Sequence, residues 1–299
     1  MAKISKDSTL TDIIALIGVK DKTYMINTME EIDYSLIQDP NLQEQIRKMV
    51  QGRKFSQLNL EEMTMFYSPW NLDSMVKGLE YLANKANEEK VFYDIWEDTD
   101  KDKTKEKTGL TVFPVKGSEK FVVICPGGGY GNVCSIPEGF PLAMALNQMG
   151  YSAFVLQYRI GKNAKAPNPM DDLAQAVRFI LNHANEWQID TSGYAVLGFS
   201  AGGHLAASFG TTSLGYKKYG LPKPELMILG YPVITMGDKT HEGSREILLG
   251  SDAKESELLC QQYSIEQHID KEYPPVYVWQ CEADEVVPVE NSRMLVECL

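Results

Sequence analysis

The sequence predicts an α/β protein in which a mostly parallel sheet is covered by helices on both faces, with a helical N-terminal extension. Three observations lead there. Lys120-Phe121-Val122-Val123-Ile124-Cys125 is a continuous apolar run of strand length, as a strand buried on both faces of a parallel sheet requires. From that run onward strand patterns and helix patterns alternate, which is the mark of repeated βα units. Finally, Tyr194-Ala195-Val196-Leu197 runs straight into Gly198-Phe199-Ser200-Ala201-Gly202-Gly203, a strand that turns abruptly into a helix.

In chain order, residues 1–88 carry helical patterns and few strand signals. In 71–90 the apolar residues Leu72, Met75, Val76, Leu79, Leu82 and Ala83 recur at three and four behind Asn71, a suitable N-cap. Shorter helical patterns cover 10–19, 29–37 and 42–50, the last opened by Asp39-Pro40-Asn41. Residues 1–88 therefore read as a helical cap or extension, with Met63, Met65, Phe66, Tyr67 and Trp70 available to line an apolar pocket mouth. Residues 89–299 read as the main domain, incomplete at its C-terminus. Its first strands, 91–96 and 110–115, flank a polar loop. After the 120–125 strand come a helix over 138–149, a strand over 152–158, a helix over 170–187, the Ser200 strand and helix, a strand over 225–230, an irregular segment 232–273, and a strand over 276–281.

At 299 residues with 43% hydrophobic side chains, the chain can bury one large core and a small accessory unit. A formal net charge of -12 argues against nucleic acid or an anionic membrane as partner, because phosphate binding needs clustered Lys and Arg. Five cysteines without a C-x-x-C spacing suggest neither a disulfide framework nor a zinc site, and Cys125 and Cys281, in predicted buried strands, read as core residues. No stretch approaches the length of a membrane span, and 12–19 is too short for a signal core. The expectation is a cytoplasmic protein.

Acyl transfer by serine needs a nucleophile, a base, an acid that orients the base, and N–H donors aimed at the oxyanion. Ser200 lies in a G-x-S-x-G turn whose glycines leave room for a strained serine at the sheet edge. Pro126-Gly127-Gly128-Gly129-Tyr130 follows a buried strand, so the N–H groups of Gly128 and Gly129, with that of Ala201, can converge on one oxygen. A phosphate loop is the competing reading, but no Lys-Ser/Thr follows and the G-x-G-x-x-G spacing fails. The acid candidate is Asp284, just past the 276–281 strand, with Glu282 and Glu285 as neighbours; all three could equally be surface acids in a loop.

Those motifs, together with Gln157-Tyr158-Arg159, Pro169 with Asp172, His204, Tyr231-Pro232-Val233, and Asp284-x-x-Val287-Pro288 with Asn291-Ser292, fall in an order that resembles the α/β-hydrolase esterase/lipase family. The similarity is to the branch with acetyl-xylan and feruloyl esterases, and it covers residues 108–299. It implies the α/β-hydrolase fold, Ser200 as nucleophile, Asp284 as triad acid, Gly128, Gly129 and Ala201 as oxyanion donors, and no metal or organic cofactor. The implied substrate is a small-molecule ester with a short acyl group, including acylated carbohydrates. Pro126 stands where related esterases carry His. In the family the triad histidine follows the acid. Here fifteen residues follow Asp284 and none is histidine, so the expectation is a chain that stops before its base. Of His183, His204, His241 and His268, the first two lie on helices and His268 reads as structural; His241 is the sole conceivable substitute. The alternatives are a serine peptidase of the same fold and a non-catalytic small-molecule-binding relative, and a homo-oligomer is left open.

Overall fold

The computed structural model describes residues 3–19, 21–29, 40–64 and 70–299. Its strands are β1 (Phe92–Asp94), β2 (Gly109–Phe113), β3 (Phe121–Cys125), β4 (Ser152–Gln157), β5 (Tyr194–Phe199), β6 (Leu226–Gly230) and β7 (Val276–Trp279). They form one sheet in the order β1-β2-β4-β3-β5-β6-β7. β1 and β2 pair antiparallel, β2 lies antiparallel to β4, and every pairing from β4 to β7 is parallel.

The described helices are α1 (Leu10–Ile17), α2 (Pro40–Val50), α3 (Leu60–Met63), α4 (Leu72–Glu88), α5 (Ser135–Glu138), α6 (Phe140–Gln148), α7 (Asn168–Trp187), α8 (Ser200–Gly210), α9 (Glu242–Leu249), α10 (Glu257–Tyr263) and α11 (Glu290–Cys298). Strand side chains alternate between two cores. Val123 of β3 and Phe154 and Leu156 of β4 point into the core shared with α7 and α8. Val122, Ile124, Ala153 and Val155 point the other way, into a core completed by α6 and by Leu10, Phe55, Leu60 and Leu79 of the N-terminal helices. Helices therefore cover both faces, and the N-terminal extension is part of one covering layer. Asn71 caps α4 by accepting from the Ser74 N–H at 3.0 Å.

Three expectations change. The segment 232–273 is not irregular: it holds α9 and α10, of eight and seven residues, too short to display an apolar period. Cys281 is exposed rather than buried, because β7 ends at Trp279 and is an edge strand whose Tyr277 and Trp279 are 60% and 44% exposed. Met63 is a buried core residue rather than part of a pocket mouth. Met65, Phe66 and Tyr67, and most of the helix expected over 29–37, lie outside the described residues. Among the described residues no helix is long and apolar enough to cross a membrane.

Candidate active site

Ser200 is the first residue of α8 and has φ 51°, a left-handed value costly for any side chain bearing a Cβ. Packing holds it there. A Cβ on Gly202 would collide with the carbonyl oxygens of Cys125 and Pro126, so the first turn of α8 sits directly on the end of β3. A Cβ on Gly127 would come within 3.0 Å of the Ser200 Cβ and 2.9 Å of the Phe199 carbonyl oxygen. The parallel register of β3 with β5, Cys125 opposite Gly198, thus brings the serine turn and the glycine loop together at the carboxyl edge of the sheet.

The glycine loop is a tight turn. The Gly128 carbonyl accepts from the Gly131 and Asn132 N–H groups at 3.0 and 2.9 Å, and Gly128, Gly129 and Tyr130 have φ of 124°, 63° and 60°. The N–H groups of Gly128 and Gly129 have no hydrogen-bond partner among the described residues. Successive N–H groups in such a turn form a concavity suited to an anion or oxyanion. Ala201, fully buried, is the second residue of α8 and follows Ser200 directly.

Behind the loop stands a carboxyl that the sequence reading passed over. Glu138, 4% exposed, accepts the Gly127 N–H at 2.5 Å through Oε2 and the Tyr231 hydroxyl at 2.7 Å through Oε1. Burial pushes its pKa up to about 7, against the lowering effect of those two hydrogen bonds. The signal was available: Glu138 is the sole charged residue between Lys120 and Arg159. Tyr231, at the end of β6 with φ 35°, packs edge-on against Trp279 with ring centroids 5.3 Å apart.

Of the three acids after β7, Asp284 alone is fixed by the backbone: its Oδ1 accepts from the Val286 and Val287 N–H groups at 3.0 and 2.9 Å. Glu282 is exposed and pairs with Arg293 at 2.6 Å, and Glu285 is exposed. Arg159 and Asp172 form a buried ion pair at 3.0 Å, with the Asp172 carboxylate also accepting the Arg159 N–H and the Trp96 indole N–H, which fixes the loop after β4 against α7.

No histidine hydrogen-bonds Ser200 in the structure. His204 Nε2–H donates to the Tyr263 carbonyl at 2.8 Å, so Nδ1 accepts from the Tyr130 hydroxyl at 2.8 Å; burial lowers its pKa to about 4. His183 stacks on Phe179 within α7, and His268 Nδ1 bonds the Ser213 hydroxyl. His241 does stand beside the glycine loop, its Cε1 3.6 Å from where a Gly129 Cβ would lie. However, its Nδ1 caps α9 by accepting the Ser244 N–H at 3.2 Å, which leaves the neutral ring's proton on Nε2. Burial lowers its pKa, opposed by the charges of Asp284 and Glu242. It is a helix cap, a role hidden in a segment that the sequence reads as irregular. Among the described residues no cluster of three His, Cys, Asp or Glu side chains is arranged to hold a metal ion.

A family model described as BD-FAE matches residues 112–299. Endo-1,4-beta-xylanase B of Butyrivibrio fibrisolvens is 38% identical over 187 residues, which is 60% of this chain and 29% of that protein. The acetylxylan esterase of Xylanibacter ruminicola is 32% identical over 181 residues, 60% of this chain and 36% of that one. The chain thus spans about a third of the length of these relatives. Among solved structures, an acetyl ester-xyloside bifunctional hydrolase from Caldicellulosiruptor lactoaceticus superposes with a TM-score of 0.61 at 31% identity, covering 70% of this chain and 80% of that chain. A lipase/esterase from Lactobacillus plantarum gives 0.54 at 25% identity, covering 64% and 81%.

Proposed function

The chain belongs to the BD-FAE family of esterase-type α/β-hydrolases, and from that premise we propose that it is a serine carboxylic ester hydrolase acting on short acyl esters, acylated carbohydrates among them. The observation that carries the reading is the contact between Ser200, strained at the head of α8, and the glycine loop with its two unused N–H groups. Ser200 Oγ, giving its proton to a base, attacks the ester carbonyl; the N–H groups of Gly128, Gly129 and Ala201 receive the developing oxyanion, whose collapse breaks the ester C–O bond and releases the alcohol with that proton, and water then frees the acid from the acyl-serine. Such donors act on charge that is larger in the transition state than in the ground state, so they lower the barrier rather than tighten ground-state binding. Asp284, prefixed by two backbone N–H groups, is the acid that orients the base. No histidine hydrogen-bonds Ser200 in the structure, so in the test below imidazole from solution is the base that takes the serine proton. A serine hydrolase without its base retains about 10³ to 10⁴ over the reaction in water, from its oxyanion hole and binding contacts.

Similarity to an acetylxylan esterase and to an acetyl ester-xyloside bifunctional hydrolase supports a carbohydrate ester as substrate. All five cysteines are free, which supports a reducing, cytoplasmic setting. Residues 1–88 act in this reading as a cap on a catalytic unit formed by 89–299. The test is hydrolysis of 4-nitrophenyl acetate with imidazole supplied as a diffusible base. Wild type should exceed the imidazole background, and Ser200→Ala should fall to it. Turnover retained by Ser200→Ala rejects the nucleophile.

A further inference from the structure

Gly127, Gly128 and Gly129 bring no side chains that could pack the glycine loop into one shape, and glycine has the most backbone freedom to lose on folding. Oxyanion donors act only when they are aimed before the reaction begins, and a misplacement of about 1 Å costs roughly a hundredfold in rate. The loop therefore has to be held from outside. Two of its ties are to carbonyl groups: the Tyr158 hydroxyl donates to the Pro126 carbonyl at 2.6 Å, and the Cys134 N–H donates to the Gly127 carbonyl at 3.0 Å. The third is to an N–H, that of Gly127, which donates to Glu138 Oε2 at 2.5 Å.

That third tie decides where an oxyanion donor points. The Gly127 carbonyl and the Gly128 N–H lie in one peptide plane, and the Gly127 N–H lies in the plane before it. Holding both planes fixes the two soft dihedrals of Gly127 and so aims the Gly128 N–H. Gly127 is also where the loop, the carboxyl and the nucleophile turn meet: a Cβ built there would lie 3.0 Å from both Glu138 Oε2 and Ser200 Cβ. Glu138 is braced in turn, because its Oε1 accepts the Tyr231 hydroxyl at 2.7 Å. The Tyr231 ring is itself packed between Phe199 and Trp279, with centroids 5.6 and 5.3 Å away. Among the described residues no Lys, Arg or His pairs with this buried carboxyl. Burying a carboxyl without a cation is costly, and groups kept at such a cost cluster at functional sites.

We propose that Glu138 is a positioning residue for ester hydrolysis: braced by the Tyr231 hydroxyl, it accepts the Gly127 N–H and so aims the N–H groups of Gly128 and Gly129 at the oxyanion formed on Ser200. The inference rests on the esterase reading above, which gives those N–H groups their role. Two quantities test it in wild type, Glu138→Leu, Glu138→Gln and Tyr231→Phe. One is hydrolysis of 4-nitrophenyl acetate in imidazole, taken as the rate above that of Ser200→Ala. The other is amide hydrogen exchange of peptides covering 121–125 and 127–134. Glu138→Leu should lower kcat at least about tenfold with KM held within about threefold, since aim matters in the transition state and not in ground-state binding. Its 127–134 amides should exchange at least about tenfold faster while those of β3 keep their protection. Glu138→Gln still offers a carbonyl to the Gly127 N–H and should restore both quantities to within about threefold of wild type. Tyr231→Phe keeps the ring and removes the brace; it should move both quantities in the direction of Glu138→Leu, and it replaces that variant should the latter fail to fold. Unchanged kcat or unchanged loop exchange in the folded variants overturns the proposal, as does equal loosening of β3 or a Glu138→Gln as impaired as Glu138→Leu. Failure of the nucleophile reading appears separately, as turnover surviving Ser200→Ala, and leaves the exchange comparison intact.

Discussion

Glu138→Gln should stabilise the protein relative to wild type above neutral pH and lose that advantage in acid. The Glu138 carboxyl is raised from 4.5 to about 7 by burial. A carboxyl with a folded pKa above its unfolded one contributes its full stability below the unfolded value and loses it as pH rises through the folded value. At about 1.4 kcal/mol per pH unit the gap is worth about 3 kcal/mol, and most of it, about 2 to 3 kcal/mol, is lost between pH 5 and pH 8.5. Glutamine keeps the shape, with its carbonyl on the Gly127 N–H and its NH₂ toward the Tyr231 hydroxyl, and it does not titrate. The assay is urea unfolding of both proteins at the two pH values, followed by tryptophan fluorescence. With a urea slope of about 3 kcal/mol/M, the midpoint difference between variant and wild type should move by nearly 1 M in the variant's favour on going to pH 8.5. Other titrating groups act on both proteins and cancel. A midpoint difference that is the same at both pH values would show that the carboxyl does not titrate in this window and would refute the reasoning.

Three further substitutions test the scaffold. His204→Phe leaves the Tyr130 hydroxyl and the Tyr263 carbonyl unpaired, which should cost about 2 to 4 kcal/mol in urea unfolding at pH 7.5. Because the His204 pKa falls from 6.5 to about 4 on folding, its contribution is complete above pH 6.5 and fades as pH falls toward 4, so the variant should approach wild type in acid. Gly202→Ala drives a methyl into the Cys125 and Pro126 carbonyls, and thermal unfolding should show a loss of at least about 3 kcal/mol or failure to fold. Asp172→Ala strands the Arg159 charge, 5% exposed at the residue level, and should cost about 3 to 5 kcal/mol in the same assay.

The sheet was legible because its signal is local. The β3 run is apolar at every position, as burial between two helical layers demands, and the Asn71 cap and apolar stripe of α4 sit within one stretch of chain. The helices α9 and α10 were not legible, since two turns give too few apolar positions to set a period. Cys281 was misassigned because an edge strand carries the same β-formers as a central one, and only the strand order reveals which is which. At the site, Ser200, the glycines and Asp284 announce themselves through backbone requirements or loop position. Glu138 and Tyr231 do not, because each gains its meaning from a partner distant in sequence: Gly127 and Glu138 meet across a turn, and Glu138 reaches Tyr231 across 93 residues, while the capping role of His241 stayed hidden because α9 is too short to show a period. Glu138 was still detectable as an isolated charge in an apolar stretch.

The central claim is that Ser200 is a nucleophile presented to the glycine loop. The most direct measurement is reaction of the protein with a fluorophosphonate in the presence of imidazole, followed by peptide mapping by mass spectrometry. The account predicts a single phosphonyl adduct on Ser200, absent in Ser200→Ala. An adduct on another residue, or an unmodified Ser200 in a protein that hydrolyses 4-nitrophenyl acetate above the imidazole background, would contradict it.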